Sequence, residues 1–504
     1  MIREGMCPNI GNCSVADQRV RMEMSRSVEC GECGRALLEV REDGHGPAKN
    51  PWGRWTALSV AASAVLVSAV LLFHKGGAAR TAQPAASVIL RLAGSNTVGS
   101  RLGPAWAAQF LKDKGYTETT ESTASADETL VTGRRPATGE RVSIVISAHG
   151  SATGFEVLAA GGADIAMSSR PIEDSEVRAL SSLGDMRAAS NEHVVALDGV
   201  AVIVHGGNSV EKASIAELAG LFSGKITSWS QVGGKELPIH VYARDDKSGT
   251  WETFKSLVLA PAGLGLAPNA ARFEDSTELA DAVAADPDGI GFIGLPYIGP
   301  TKALAISEER GEAVRPSAFT VATEDYPLTR RLYFYHGATP GSAVGEMTAF
   351  VLSAEGQDIV RRQGFVPLTV EAAAAASAPG LPDYARATAG ATRLSVDFRF
   401  LPGGAQLDNK GQQDLDRVVN FLALGAGRRE VTLVGFTDNS GDSGTNRALS
   451  RTRAVQVAQE LAVRGVRAAA VIGLGAELPI AANDTADGRN RNRRVEIWVK
   501  GLNG

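Results

Sequence analysis

Four cysteines, all within the first 33 residues, form the pattern with the clearest metal chemistry in this sequence. Cys7 and Cys13 are separated by five residues and Cys30 and Cys33 by two, and a glycine follows each member of the second pair. Four thiolates can close a tetrahedral structural zinc site, and a segment of this size has too little core to fold without a metal. Residues 1–45 are therefore predicted to be a zinc ribbon, with two disulfides or reduced, unstructured thiols as the alternatives.

Three short segments place Gly, Ser and Thr between the end of a strand-like run and the start of a helix-like run. They are GSNTVGS at 94–100, GSATG at 150–154 and DKSGT at 246–250. Small hydroxyls and free backbone N–H groups at a helix N-terminus favour negative charge, and Arg244, four residues before Ser248, adds a fork-shaped cation. Together these segments predict an oxyanion site, although any one of them alone is better explained by Ser and Thr as ordinary helix caps.

One uninterrupted apolar run, WTALSVAASAVLVSAVLLF at 55–73, carries no charged residue and is long enough for a single transmembrane helix. A cleaved signal peptide is the less favoured alternative, because its apolar core would have to lie near the start of the chain. Lys and Arg are similar in number on both sides of the run, so they do not fix its orientation. The clustered cysteines favour an N-terminus in a reducing cytoplasm and a cysteine-free remainder in the periplasm, so we expect a single-pass inner-membrane protein.

The chain beyond this helix divides into two further folded units. Residues 87–368 alternate strand-length apolar runs with helical patterns, which indicates an α/β domain. Residues 369–392 are rich in Ala and Pro and are predicted to be a linker. Residues 393–500 show the order strand, helix, strand, helix, strand. The predicted fold class is therefore multidomain α/β with a smaller α+β domain at the end.

The overall composition excludes several classes of protein. With 51 Lys and Arg against 56 Asp and Glu among 504 residues, the formal charge of −5 gives no basic footprint for nucleic acid. A hydrophobic fraction of 44% is too high for a mostly disordered chain and too low for a multi-span membrane protein. No nucleophile–base pair or metal-ligand cluster stands out beyond the cysteines, so we do not expect an enzyme.

Four segments of the middle domain resemble the periplasmic phosphate-binding protein of phosphate ABC importers. They are ALDGVAVIVHGGNS (196–209), LAGLFSGKITSWSQVGG (218–234), ARDDKSGTWETF (243–254) and GIGFIGLPYI (289–298). The resemblance implies a type II periplasmic-binding-protein fold, in which two lobes close on the ligand about crossover strands. We expect those strands near residues 194–204 and 327–335, where apolar runs could pass between the lobes.

The same resemblance implies a set of oxyanion ligands. Carried over one position at a time, the set is Thr97 and Val98 through their backbone N–H groups, Ser151, Arg244, Ser248, Gly249 and Thr250. One position departs from the family, since Ser168 or Ser169 stands where the best-known members have an Asp that accepts the ligand's remaining proton. A serine both donates and accepts, so the choice between phosphate and a fully ionised oxyanion is left open.

The last domain is similar to the peptidoglycan-binding domain of the outer-membrane protein A family. The similarity rests on VTLVGFTDNSGDSGTNRALSRTRAVQVAQEL (431–461) and GRNRNRRVEIWV (488–499). It implies that Asp438 and Arg453 hold the ammonium and carboxylate of a diaminopimelate side chain in the stem peptide. Thr437, Asn439 and Asn446 are expected to complete the cleft. The alternative is that Asp438 and Arg453 merely pair with each other.

These interpretations combine into a membrane-anchored envelope protein that captures phosphate or a related oxyanion and attaches non-covalently to peptidoglycan. An ABC importer or a cytosolic signalling protein would be its partner, and the sequence does not separate transport support from sensing. The alternative is a structural cell-wall tether, in which the middle domain is a spacer or protein-interaction surface without a small ligand.

Overall fold

The computed structural model of the chain describes residues 4–6, 21–23, 38–39, 86–125, 127–246, 248–308, 312–373, 381–401, 404–424 and 429–502. The chain forms two compact units, Met1–Gln83 and Pro84–Gly504. In the first unit, β1 (Glu4–Met6) pairs antiparallel with both β2 (Arg21–Glu23) and β3 (Leu38–Glu39).

The predictions for the N-terminal region concern residues that lie outside this description. The zinc ligands Cys7, Cys13, Cys30 and Cys33 and the apolar run 55–73 all belong to the part of the chain that is not described. Within the ranges that are described, no helix is long and apolar enough to cross a membrane. The zinc ribbon and the transmembrane helix therefore stay predictions.

The second unit begins with an α/β domain whose strands follow one another along the chain. They are β4 (Ser87–Gly94), β5 (Glu118–Ser125), β6 (Glu128–Arg134), β7 (Arg141–Ser147), β8 (Ile165–Ser168), β9 (Glu192–Val204), β10 (Lys212–Ser214), β11 (His240–Arg244), β12 (Ala271–Phe273), β13 (Gly289–Gly294), β14 (Lys302–Ala303), β15 (Ala305–Ser307) and β16 (Thr329–Tyr335). Eleven of them form one sheet in the order β12-β11-β13-β9-β16-β8-β4-β7-β6-β5, with β14 also paired to β9, while β10 and β15 form a separate parallel pair.

This sheet consists of two lobes joined at its centre. Strands β4 to β8 lie on one side and β11 to β13 on the other, and the antiparallel pair β9 and β16 connects them. Residues Val194 to Val204 of β9 are all buried, as expected for an apolar run that passes through the middle of a sheet covered on both faces. The structure confirms the two-lobed α/β fold and places β9 and β16 where the crossover strands were expected.

The helices of this domain cover the sheet. They are α1 (Gly103–Asp113), α2 (Ser151–Ala159), α3 (Asp174–Ala179), α4 (Ile215–Ser223), α5 (Gly249–Phe254), α6 (Ser276–Ala285), α7 (Ala318–Ala322), α8 (Ser342–Leu352) and α9 (Ala354–Arg362). Single π-helical turns, Val98–Leu102 and Lys255–Leu259, precede α1 and follow α5. Such turns are rare and occur often at functional sites.

The last domain is a five-stranded sheet in the order β17-β18-β21-β19-β20. Its strands are β17 (Ala372–Ala373), β18 (Thr392–Arg399), β19 (Glu430–Gly435), β20 (Ala468–Gly473) and β21 (Arg494–Lys500), and its helices are α10 (Pro382–Thr388), α11 (Asn409–Ala423), α12 (Ser443–Val463) and α13 (Ala486–Asn492). The core between sheet and helices includes the buried side chains of Leu415, Val457 and Ile497.

Part of the segment 369–392, predicted to be a linker, is folded onto this last domain. Strand β17 pairs with β18, and α10 buries the ring of Tyr384 against Trp498 at a centroid distance of 5.7 Å. The Tyr384 hydroxyl donates a hydrogen bond of 2.9 Å to Glu496. The Ala-rich composition of the segment did not indicate that it is folded, because its docking on the last domain depends on the single aromatic side chain of Tyr384.

A histidine pair lies beside the central strands and predicts a pH-dependent stability. His193 in β9 stacks on His336, which follows β16, with Nε2 atoms 3.1 Å apart. Burial and the neighbouring imidazole lower the pKa of His193 from 6.5 to about 4. Between these two pH values the unfolded chain binds a proton that the folded chain does not, so the free energy of unfolding falls as the pH is lowered.

We expect the free energy of unfolding to be about 2 kcal/mol lower at pH 5 than at pH 7 through this one residue. Urea unfolding of the full chain at the two pH values measures the difference, and His193→Gln is expected to reduce it by that amount. An identical pH dependence in this variant would show that the pair does not control acid stability.

Candidate functional site

A polar cavity of about 300 Å³ lies where the two lobes face each other, and we call it the interlobe cavity. Its walls contain Thr97, Ser100 and Arg101 from the first lobe and Arg244, Asp245, Ser248, Gly249, Thr250, Glu274, Asp275, Ser276 and Tyr297 from the second, together with Phe365. Five of the residues predicted to bind an oxyanion therefore meet at one cavity, although Thr97 is more than 140 positions from the other four in the sequence.

The two lobes touch at this cavity through Thr97 and Gly249. Gly249 begins α5, and a Cβ atom added to it would lie 2.7 Å from both the Cα and the Oγ1 of Thr97. Only glycine permits so close an approach of the second loop to the first. Val98, which opens the π-helical turn after Thr97, is fully buried and does not line the interlobe cavity.

Ser151 and Ser169 form a second cluster in the first lobe. The backbone N–H of Ser169 donates to Ser151 Oγ at 3.1 Å, and the two hydroxyl oxygens are 3.3 Å apart. Ser168 donates instead to the carbonyl of Arg170 at 2.7 Å. Of the two serines at the departing position, Ser169 is the one beside Ser151. It lines a separate cavity of about 500 Å³ rather than the interlobe cavity.

Arg244 is half-buried at the end of β11, and its guanidinium is held by the second lobe. It donates to the carbonyls of Phe273 (3.3 Å) and Glu274 (2.6 Å) and to the hydroxyl of Ser276. Burial lowers the pKa of this side chain, and the carboxylate of Asp245, 3.7 Å away, opposes that effect. The side chain is thus a fixed cation in the cavity wall.

Arg330, which we did not predict from the sequence, contacts both lobes from the central strand β16. Its Nη2 donates to Thr97 Oγ1 and, at 2.9 Å, to the carbonyl of Gly249. Its Nε lies 3.3 Å from Asp198 in β9, and both side chains are more than nine-tenths buried. The arginine pair at 330–331 interrupts an otherwise apolar crossover run, and this was the signal available in the sequence.

The predicted site of the last domain, which we call the C-terminal site, contains Asp438 and Arg453 in separate interactions. Asp438 pairs with Arg493 at 2.8 Å, so it does not form the pair with Arg453 that the sequence left open. Burial opposes ionisation of Asp438, but hydrogen bonds from Ser440 and Arg493 outweigh it and lower its pKa to about 2. This carboxylate is therefore charged at any physiological pH.

Arg453 is 1% exposed and forms no ion pair among the described residues, although the charge of Asp438 partly offsets the fall of its pKa. Its Nε donates to the carbonyl of Gly404 at 3.0 Å, and its guanidinium lies 5.3 Å from the centre of the Phe400 ring. Its buried Nη1 has no hydrogen-bond partner in the described part of the chain. Burial, with the nearby charge of Arg493, lowers its pKa to about 10.

The other three residues predicted for the C-terminal site lie around Asp438 and Arg453. Thr437 is buried and its Oγ1 likewise finds no hydrogen-bond partner within the described ranges. Asn446 donates to the carbonyl of Gly441 at 3.0 Å, and the backbone N–H of Asn439 donates to Asn483 at 3.2 Å. The two asparagines therefore fix the loop that carries Asp438, whereas Thr437 and Arg453 keep unused donors.

The expectation that no metal-ligand cluster exists beyond the cysteines needs a correction. His240, Asp286 and Asp288 place potential ligand atoms within 4.8 Å of one another. Asp286 already accepts hydrogen bonds from His240 and from Tyr242, each at 2.8 Å. The sequence did not reveal this cluster because it forms only when β11 pairs with β13.

Comparison with known proteins finds relatives for both domains. The model of the PBP superfamily domain matches residues 81–355, and the model of the OmpA family matches residues 399–493. Protein SphX of Synechococcus elongatus is 34% identical over 251 residues, which cover 47% of this chain and 73% of SphX. The phosphate-binding protein PstS of Bacillus subtilis is 32% identical over 231 residues, covering 45% of this chain and 71% of PstS.

Among solved structures, an ABC-type phosphate transport receptor from Vibrio cholerae aligns with a TM-score of 0.42 at 24% identity, covering 55% of this chain and 99% of the receptor. The two family matches confirm the predicted resemblance of the middle domain to binding proteins and of the last domain to the OmpA family.

Proposed function

The chain belongs to the PBP superfamily through residues 81–355, and on that premise we propose that its two-lobed domain captures phosphate or a related tetrahedral oxyanion at the cell envelope. The observation that carries this proposal is the meeting of Thr97 with Arg244, Ser248 and Gly249 at one polar cavity between the lobes. Relatives named as phosphate-binding proteins support the choice of ligand.

The chemistry of the cavity suits a dianion that leaves its water shell. Hydroxyls of Ser248 and Thr250, with the backbone N–H groups of Thr97 and of the start of α5, would replace the water molecules as donors. The fixed guanidinium of Arg244 would supply positive charge in two parallel hydrogen bonds. Closure of the lobes would join these donors to those of Val98, Ser151 and Ser169.

The serine at position 169 bears on selectivity. A carboxylate at this point would accept the proton of hydrogen phosphate and repel sulfate, whereas a hydroxyl donates equally well to both. We propose that the site discriminates weakly between phosphate and sulfate. Ser168, which bonds to the backbone of Arg170, has no direct part in this choice.

We propose further that the last domain attaches the chain to peptidoglycan through the C-terminal site. Asp438 and Arg453 offer one carboxylate and one guanidinium that do not neutralise each other, which is what a zwitterionic diaminopimelate end requires. The OmpA-family match across residues 399–493 supports this assignment.

The arrangement in the envelope is the part of the proposal that rests on sequence alone. Cys7, Cys13, Cys30 and Cys33 would hold a structural zinc ion in the cytoplasm, and residues 55–73 would span the inner membrane. The protein would then present both binding domains to the periplasm. An ABC importer or a cytosolic signalling protein would receive the bound state.

Calorimetric titration of the full chain with phosphate, sulfate and molybdate tests the oxyanion site. We expect heat with phosphate and a roughly 100-fold weaker affinity in Arg244→Ala, because a hydrogen-bonded charge is lost from the cavity. Arg362→Ala, which removes a guanidinium that is 62% exposed on α9, is the matched control and should bind like the wild type. No heat with any of the three anions would favour the tether alternative.

A further inference from the structure

The last domain is docked against the strands that join the two lobes. Asp408, the N-cap of α11, accepts a hydrogen bond of 2.7 Å from Nη1 of Arg331 in β16. The neighbouring Asn409 donates at 2.9 Å to Glu192, the first residue of β9. The C-terminal domain therefore contacts both crossover strands, about which the lobes would move.

This contact is a buried network of charges. Arg331 is also held by two hydrogen bonds from its guanidinium to Glu324, at 2.6 and 3.0 Å. Arg393 in β18 donates to Asp325 at 2.9 Å, and its side chain is 11% exposed. Because a buried charge that loses its partner is strongly disfavoured, such a network permits few intermediate arrangements. A shift of the crossover strands must therefore be followed by the last domain or must break these pairs.

The preceding residue of the same strand contacts the two residues at which the lobes touch. Arg330 immediately precedes Arg331, and its guanidinium bonds to Thr97 of the first lobe and to the carbonyl of Gly249 of the second. Of these two neighbouring residues of β16, Arg330 therefore contacts both lobes and Arg331 contacts the last domain. Packed elements of this kind switch between discrete arrangements rather than deform continuously.

The interface also runs directly into the C-terminal site through β18. Arg399, 5% exposed, donates at 2.7 Å to the carbonyl of Thr323 in the binding domain. The next residue, Phe400, lies against the guanidinium of Arg453. A displacement of β18 along the interface therefore moves the Phe400 ring, which packs on Arg453, the residue predicted to bind the carboxylate of the stem peptide.

A second connection reaches the other half of the C-terminal site through α13. Arg491 pairs with Glu308, which follows β15 in the second lobe, and the same carboxylate accepts the backbone N–H of Ala482 at 2.5 Å. Two residues further on, Arg493 pairs with Asp438. One contact residue of each charged group, Phe400 for Arg453 and Arg493 for Asp438, therefore lies within two residues of a contact with the binding domain.

We infer that β16 and the docked last domain couple the two sites, so that occupancy of the interlobe cavity and of the C-terminal site each raise the affinity of the other. This inference rests on the proposed function, since it names the regulation of those two sites. In this structure the two lobes touch at Thr97 and Gly249, and the last domain is docked on the crossover strands. A ligand that stabilises the docked position of the last domain should therefore also stabilise the closed position of the lobes. Coupling of this kind is reciprocal by thermodynamic necessity.

The test measures phosphate affinity of the full chain by calorimetry with and without saturating meso-diaminopimelate. We expect diaminopimelate to lower the phosphate Kd about fivefold, and phosphate to lower the diaminopimelate Kd by the same factor. Asp408→Asn is expected to abolish this reciprocal effect. It keeps the N-cap of α11, because asparagine caps as well as aspartate, but it removes the charge that pairs with Arg331.

Asp416→Asn is the matched control on the same helix. Asp416 is 69% exposed and pairs with Arg464 inside the last domain, so this variant should retain the fivefold effect. In a wild-type chain that gives heat with each ligand alone, a phosphate Kd that diaminopimelate leaves unchanged overturns the coupling, and so does a full effect in Asp408→Asn. A wild-type chain that gives no heat with phosphate overturns the oxyanion site itself, and one that gives no heat with diaminopimelate overturns the C-terminal site, so the failures are distinguishable.

Discussion

Replacing Arg453 by alanine is expected to release the full chain from purified sacculi. Among the described residues the Arg453 guanidinium forms no ion pair, and its buried Nη1 has no hydrogen bond. A bound carboxylate would supply both the ion pair and the missing hydrogen bond. Loss of a charge-assisted, bidentate contact should weaken binding by roughly 100-fold, measured as the fraction of chain that sediments with the sacculi.

The variant also loses a hydrogen bond to Gly404 and the packing of the guanidinium on Phe400, so circular dichroism must show that it is folded. Burial lowers the pKa of Arg453 to about 10, which means that the folded domain disfavours its unpaired charge. Arg451→Ala, on an exposed position of α12, is the control for loss of an arginine from the same helix. Undiminished sedimentation of Arg453→Ala would refute the peptidoglycan assignment, whatever the behaviour of the control.

The second large effect is expected for Gly249→Ala in the interlobe cavity. The added methyl group would lie 2.7 Å from the Cα and the Oγ1 of Thr97, so the two lobes could no longer approach as they do. Overpacking of this kind costs roughly 1 to 3 kcal/mol, and we expect the phosphate affinity to fall by about 10- to 100-fold. Calorimetry of the full chain provides the measurement.

Gly265→Ala is the matched substitution in the same lobe, since a Cβ atom there meets nothing within 4 Å among the described residues. It should bind phosphate like the wild type. If Gly249→Ala also bound with unchanged affinity, the contact between Thr97 and Gly249 would not belong to the ligand-bound arrangement, and the assignment of the cavity would be wrong.

Local sequence patterns were sufficient to predict the alternation of strands and helices in the middle domain, but not strand β17 and helix α10 within the predicted linker. The family resemblance implied crossover strands, and the apolar run at 194–204 located one of them, while the runs of Gly, Ser and Thr marked the loops at 94–100 and 246–250. These predictions depend on contacts between near neighbours in the chain or on properties of a single strand.

The parts that could not be predicted depend on contacts between distant residues. Arg330 reaches Thr97 across 233 positions, and Glu308 reaches Arg491 across 183. No local pattern distinguishes such an arginine from one on the surface. Likewise, the sequence did not show that Ser169 rather than Ser168 lies beside Ser151, because a one-residue shift along a strand reverses the side that a residue faces.

The central claim is that one chain holds an oxyanion while it is attached to the cell wall. Purified sacculi incubated with the full chain and radiolabelled phosphate, then sedimented, test this directly. The account predicts about one phosphate in the pellet for each sedimented chain, and an Arg244→Ala chain that sediments without phosphate. A wild-type chain that sediments while all the phosphate stays in the supernatant would contradict it.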